Sequence, residues 1–129
     1  MQSKELFVEF VATNDDPSFI TGASGRQMPD VGATLAALET AAGRKAQRVG
    51  KPDKYALGVI LRDQYGEEGA DKVDKSRVCY VGDNIATDVY FSKNSGIGSV
   101  LVLSGLAKLE KDAEDIRKAQ PDFILEKFA

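Results

Sequence analysis

Two clusters of polar residues stand where apolar stretches end. Val49-Gly50-Lys51-Pro52 closes one stretch, and Tyr80-Val81-Gly82-Asp83-Asn84-Ile85-Ala86-Thr87-Asp88 closes another. Each has the form of a strand running into a turn, and open α/β sheets build ligand sites at the carboxyl ends of their strands. Gly82 permits a tight turn that lifts the Asp83 carboxylate above the sheet edge. Asp88 follows five residues later at the start of a helix, where negative charge suits the dipole. Two carboxylates so spaced can share a hard cation, and magnesium typically takes one or two carboxylates plus phosphate oxygens and water. The ammonium of Lys51 can reach a phosphate from its own junction. Taken singly, Asp83 also reads as a turn residue, Asp88 as an N-cap and Lys51 as a solvated surface group. Their shared sheet edge favours a common site.

Two absences bound the chemistry. The sequence contains no histidine, the commonest general base and zinc ligand. It also has no Asp-x-Asp after an apolar strand that could supply a nucleophile. The residues so far make half of a catalytic site.

The elements that must carry these junctions alternate. Leu6 to Thr13 reads as a strand that stops at Asn14-Asp15-Asp16-Pro17, and Ser18 to Pro29 as a loop punctuated by Gly22, Gly25 and Pro29. Asp30 is an N-cap for a helix through Ala42, with Leu35 and Leu38 on one face and Gly43 beyond its end. Ala46 to Val49 is a short strand whose alternation Arg48 spoils. Pro52 suits the first turn of the next helix, whose apolar face is Tyr55, Val59, Ile60 and Leu57 and whose end is Gly66. Glu67 to Ser76 reads as a surface loop and Val78 to Val81 as a buried strand. Asp88 to Asn94 is a short helix stopped by Ser95-Gly96, and Val100 to Leu103 is the most apolar strand. A charged helix from Glu110 to Ala119 and a strand from Phe123 to Leu125 complete the chain. Strands alternating with helices indicate an α/β fold with a parallel sheet.

The bulk numbers exclude several classes. At 129 residues, with 29% charged and 43% hydrophobic residues, the chain is an ordinary globular one of one domain or little more. A net charge of −3 argues against a nucleic-acid surface. No apolar run approaches the roughly 20 residues needed to cross a bilayer, and no basic-then-apolar leader opens the sequence, so a cytoplasmic protein is expected. Cys79, the only cysteine, is expected to be a small buried core residue.

Gly50-Lys51-Pro52 followed by Gly82-Asp83-x-x-x-Thr87-Asp88 resembles the haloacid dehalogenase (HAD) superfamily. More closely it is similar to the 4-nitrophenylphosphatase, phosphoglycolate phosphatase and pyridoxal phosphatase group, which carries a type II cap. The likeness extends through Phe10 to Asn14, Ala37 to Arg44, Lys93-Asn94-Ser95-Gly96, Leu101 to Gly105 and Pro121-Asp122-Phe123, nearly the whole chain. It implies a HAD-like Rossmannoid three-layer parallel sheet, of which residues 46–129 are the second half, preceded by the end of an α/β cap in residues 1–45. It implies a magnesium-dependent phosphatase that cleaves small phosphate monoesters through an aspartyl-phosphate. Lys51 then matches the lysine that contacts nucleophile and phosphoryl group, Asp83 the metal-binding aspartate, and Asp88 the acidic partner supporting the metal's water shell. Gly82, Asn84 and Thr87 support them. Ser18, Phe19 and Ile20 align with a cap loop that helps select substrate.

The family pattern also breaks. Its Asp-x-Asp strand and the Ser/Thr-Asn motif after it have no counterpart: Asp15-Asp16-Pro17 lacks the spacing, and Thr13-Asn14 matches the end of the cap better. Met1-Gln2-Ser3-Lys4 reads as an internal approach to a cap strand. Phe19 stands where pyridoxal phosphatases carry histidine, Arg48 where the family is aliphatic, and Asn84 where a basic residue is common. A sheet lacking its middle strand favours pairing with the missing N-terminal half or with a second copy. The expected partner is a small phosphorylated metabolite, with no nucleic acid and no membrane. The alternative is a non-catalytic binding or assembly module of the same fold. An unrelated nucleotide-binding protein is disfavoured, because Gly96-x-Gly98 lacks a third glycine and precedes a strand.

Overall fold

The computed structural model describes residues 8–21 and 25–128. Part of the expected first strand and Gly22 therefore lie outside the described residues. The chain divides into two compact units, Met1–Val49 and Gly50–Ala129.

In the first unit β1 (Val11–Ala12) pairs in parallel with β4 (Gln47–Arg48), Val11 opposite Gln47 and Ala12 opposite Arg48. The strand expected over Leu6–Thr13 is thus only two residues long where described, matching a partner of equal length. The stretch Ser18–Pro29, expected as a loop, is a hairpin of β2 (Ser18–Thr21) and β3 (Arg26–Pro29), antiparallel with Ser18 opposite Pro29. Gly25 marks its turn and Pro29 a strand end, positions that suit them as well as a loop does. Helix α1 (Val31–Ala42) forms as expected: the Asp30 carboxylate accepts from the Val31 N–H at 2.6 Å, and Gly43 ends it at φ 61°.

Its buried face differs from the expected one. Leu35 packs with Ala12 and Ala46, but Leu38 is 53% exposed and Glu39 takes the inward place one turn beyond Leu35. The Glu39 side chain is only 3% exposed. It accepts from Arg48 Nη1 at 2.8 Å, Lys45 Nζ at 2.7 Å and the Ala46 N–H at 2.9 Å. Arg48 also donates to Asp15 at 2.9 Å. Arg48 therefore breaks the apolar alternation of its strand because it pairs a buried carboxylate, which is costly to leave unpaired.

In the second unit a turn over Lys51–Lys54 leads into α2 (Tyr55–Ala70). Pro52 lies before this helix and not in its first turn, and the Asp53 carboxylate accepts the Tyr55 N–H at 2.8 Å. The inward residues are Leu57 and Leu61, packed with Phe91 and Ile97, while Tyr55, Val59 and Ile60 are exposed. Gly66 breaks the helix at φ 71°, ψ 172°, but a further helical turn follows where a loop was expected, and a 3₁₀ turn covers Lys75–Arg77.

Strands β5 (Cys79–Gly82), β6 (Gly98–Val102) and β7 (Phe123–Leu125) form a parallel sheet in that order, which is the α/β architecture expected. Between them lie a π-helical turn (Ile85–Val89), α3 (Tyr90–Ser95) and α4 (Ala113–Ala119). The helix expected from Glu110 starts three residues later, and the one expected from Asp88 begins with the wider turn. Leu101 packs with Val89, Ile116 and Ala119, and Tyr80 joins the cluster of Leu57 and Phe91. By register Tyr80 and Leu101 lie on one sheet face, with Cys79, Val81, Val100, Phe123 and Leu125 on the other. That second face is open along its outer strands: Cys79, Val81 and Leu125 are exposed and Phe123 is 65% exposed, while Val102 of the central strand is buried. Cys79 is therefore not buried, and its strand, at the edge of the described sheet, alternates exposed and half-buried residues. Asp122 fastens β7 by accepting from the Ser99 N–H and hydroxyl, both at 2.8 Å.

The Glu39 cluster fixes a pH dependence. Its bonds to Arg48, Lys45 and the Ala46 N–H lower its pKa from 4.5 to about 2. A folded-state value below the unfolded one stabilises above pH 4.5 and is lost as pH falls toward 2. Hydrogen exchange of the Ala46 amide should lose protection over that window in the parent chain. In Glu39→Gln the same loss should be much shallower; parallel curves would exclude the carboxylate as the cause.

Candidate active site

Lys51 donates from Nζ to Asp88 Oδ1 at 2.6 Å and to the Tyr80 hydroxyl at 3.1 Å, and its ammonium lies 5.3 Å from the Tyr80 ring centroid. Partial burial opposes the charged lysine, but the bonds to Asp88 and Tyr80 outweigh it and raise the Lys51 pKa. Tyr80 is held in turn by an edge-on contact with buried Phe91, centroids 5.0 Å apart. The Lys51-Pro52 bond is cis, and Asn94 of α3 donates to the Pro52 carbonyl at 2.8 Å. The lysine is thus held at its ammonium by Asp88 and Tyr80 and at its turn by Asn94.

Asp88 is 5% exposed and heavily engaged. While Oδ1 faces Lys51, Oδ2 accepts the backbone N–H groups of Asp83 and Asn84, both at 3.0 Å. The strand-end turn is wrapped around this carboxylate. Gly82 makes the wrap possible, since a methyl there would collide with the Asp88 carboxylate. Asn84 caps the following turn, its Oδ1 accepting from Ala86 at 2.9 Å and from Thr87 at 3.4 Å. A basic side chain could not accept those bonds, which accounts for asparagine there. Thr87 is buried beside Asp88.

Asp83 faces the loop after β6. Its Oδ2 accepts the Leu106 N–H at 2.7 Å, and its carbonyl accepts the Ala107 N–H at 2.9 Å. Gly105 admits this approach, because a methyl there would run into the Asp83 carboxylate. Among the described residues, no three His, Cys, Asp or Glu side chains converge as a complete metal site. Two carboxylates and a lysine at one strand end are what this unit offers.

The second unit therefore brings together Lys51, Gly82, Asp83, Asn84, Thr87 and Asp88. Ser18, Phe19 and Ile20 belong to the first unit, in β2, with the Ser18 hydroxyl accepting from Gln27 at 2.6 Å and Phe19 exposed. Sequence reasoning missed Tyr80, Asn94 and the Gly105-Leu106 loop. The first read only as part of a buried strand, Asn94 and Gly105 only as part of flanking motifs, and Leu106 had no reading. No periodicity marks a side chain that acts by meeting a lysine 29 positions away.

Comparison with known proteins gives a consistent picture. The HAD-hydrolase-like family model matches residues 48–129. The chain is 34% identical over 121 residues to a 4-nitrophenylphosphatase of Schizosaccharomyces pombe, covering 93% of this chain and 38% of that protein. It is 36% identical over 114 residues to chronophin of Mus musculus, covering 88% and 36%. The crystal structure of a 4-nitrophenylphosphatase from Thermotoga maritima superposes with TM-score 0.71 at 35% identity, covering 92% of this chain and 42% of that one. The chain thus spans about two fifths of the length of these relatives.

Gly82→Ala tests whether the turn is built around Asp88. The added methyl should displace the carboxylate and cost about 1–3 kcal/mol, the usual penalty of overpacking. The Asp83 and Asn84 amides should exchange faster in the same variant. Unchanged urea stability together with unchanged exchange would refute the arrangement.

Proposed function

The chain belongs to the HAD-hydrolase-like family, and we propose that it supplies the lysine and metal-binding part of a phosphatase acting on small phosphate monoesters. The observation that carries this is the Lys51 ammonium held at 2.6 Å from Asp88, on the turn that presents Asp83. In this reading residues 1–45 close a type II cap and residues 46–129 form the second half of the core. A cytoplasmic setting goes with it; among the described residues no helix is long and apolar enough to cross a membrane.

The side chains suit magnesium. Asp83 keeps Oδ1 apart from its bond to Leu106 and is the carboxylate this chain would place on the ion, with water and phosphate oxygens filling other positions. Bound there, the ion would neutralise charge on the phosphoryl oxygens. Asp88 spends both oxygens on Lys51 and the backbone, so it orients the lysine and the Asp83 turn. Lys51 offers its remaining N–H to a phosphoryl oxygen, a fixed positive charge where negative charge must be stabilised. Attack, in this proposal, comes from an aspartate that forms an aspartyl-phosphate, carried on an Asp-x-Asp strand that these residues do not contain.

The open sheet face favours a second reading. Exposed Val81, Phe123 and Leu125 suit coverage by the N-terminal half of such a core or by a second copy, which would also serve a non-catalytic assembly module.

Two polypeptides separate these readings: the 129-residue chain, and the same chain preceded by the N-terminal half of a family 4-nitrophenylphosphatase. With magnesium and 4-nitrophenyl phosphate, only the longer one should turn over. In it Lys51→Ala should lower kcat by about 100- to 1000-fold. Turnover by the short chain that Asp83→Ala abolishes would overturn the missing-nucleophile proposal, and an inactive long chain would favour the assembly module.

A further inference from the structure

A cleft of about 330 Å³ lies along α2, away from Asp83, between that helix, the 3₁₀ turn and the end of α3. Its charge is one-sided. Lys54 and Arg62 come from α2 and its approach and Lys75 from the 3₁₀ turn; among the described residues no carboxylate lines it, while Glu67 and Asp71 line the adjoining cleft that shares Arg62 and Lys75. The Arg62 guanidinium lies over Gly58, Nη1 being 3.3 Å from where a side chain there would begin. Glu67 stands 3.8 Å from its Nε and is solvated, too loose a pair to neutralise it. Lys75 is held in place by donating to the Ser95 carbonyl at 3.1 Å, and an ammonium retains two further N–H groups.

A second observation is independent of the charges. Ser95 lines the same cleft and is 3% exposed, yet its hydroxyl has no hydrogen-bond partner among the described residues. Buried hydroxyls are nearly always partnered, and an orphan needs explaining. Leu57 and Leu61 give the cleft an apolar floor, and the exposed ring of Tyr55 flanks it.

We propose that this cleft binds a small organic phosphate, its phosphate among Lys54, Arg62, Lys75 and, once turned outward about its Cα–Cβ bond, the enclosed Ser95 hydroxyl, and its apolar group on Leu57 and Leu61. Three cations carry more positive charge than one carboxylate can neutralise, whereas a phosphate dianion brings two negative charges and three oxygens. The site is separate from Lys51 and does not depend on the phosphatase reading.

The test uses the ¹⁵N-labelled 129-residue chain without magnesium, titrated with phenyl phosphate. Amide shifts are expected at Gly58, Leu61 and Ser95 and not at Asp83 or Asn84. Arg62→Ala and Lys75→Ala, both at exposed positions, should each weaken binding about tenfold. Ser95→Ala should weaken it by a smaller factor, while Lys118→Ala, distant in sequence and equally charged, should not. Inorganic phosphate should shift Ser95 without shifting Leu61. Absence of these shifts, their appearance at Asp83 and Asn84 instead, equal weakening by Lys118→Ala, or phenol binding as tightly as phenyl phosphate would each overturn the proposal.

Discussion

Asp88 carries a charge into the interior of the second unit, and the surroundings answer it with one ammonium and two backbone N–H groups. Those answers decide where other parts lie. The backbone of Asp83 and Asn84 can reach the carboxylate only because residue 82 has no side chain. The lysine reaches it from the turn before α2, which Asn94 ties to α3. Breaking one member leaves a buried charge partly unpaired, which is why such clusters resist piecemeal change.

The first unit solves the same electrostatic problem with different parts. There the buried acid is Glu39, answered by Arg48, Lys45 and the Ala46 N–H. It joins the end of α1 to β4 as Asp88 joins the start of α3 to the turn before α2. Glu39 shares Arg48 with a second carboxylate, Asp15, and both are held by it, whereas Asp83 keeps one oxygen apart from its backbone bond. The contrast separates an acid that closes a fold from one that also presents chemistry.

How much of this was legible in the sequence depended on whether a residue acts through its neighbours in the chain. Gly43 and Gly96 stop their helices in the left-handed region, and Asp30 caps α1, because those effects are local. The lysine and aspartate motifs stood out for the same reason, and the structure does place them together. The buried faces of α1 and α2 were misread at Leu38, Val59 and Ile60, since several stripes of a helix are apolar and only packing selects one. Cys79 was misread because a valine-flanked strand looks buried, whereas burial depends on what lies over the sheet. Arg48 and Asn84 looked like departures from a pattern until their hydrogen-bond partners were seen.

The π-helical turn from Ile85 to Val89 fixes a count of residues as firmly as any side chain. Val89 drops into the cluster around Leu101, and Phe91 into the cluster around Leu57. The wide turn sets the angular phase that lets both happen while Asp88 still faces Lys51. Because each residue advances a helix by about 100°, losing or gaining one between Asp83 and Val89 would swing all three side chains at once. Side-chain identities along this segment can drift one at a time, but its length can change only if both clusters and the lysine are rebuilt together.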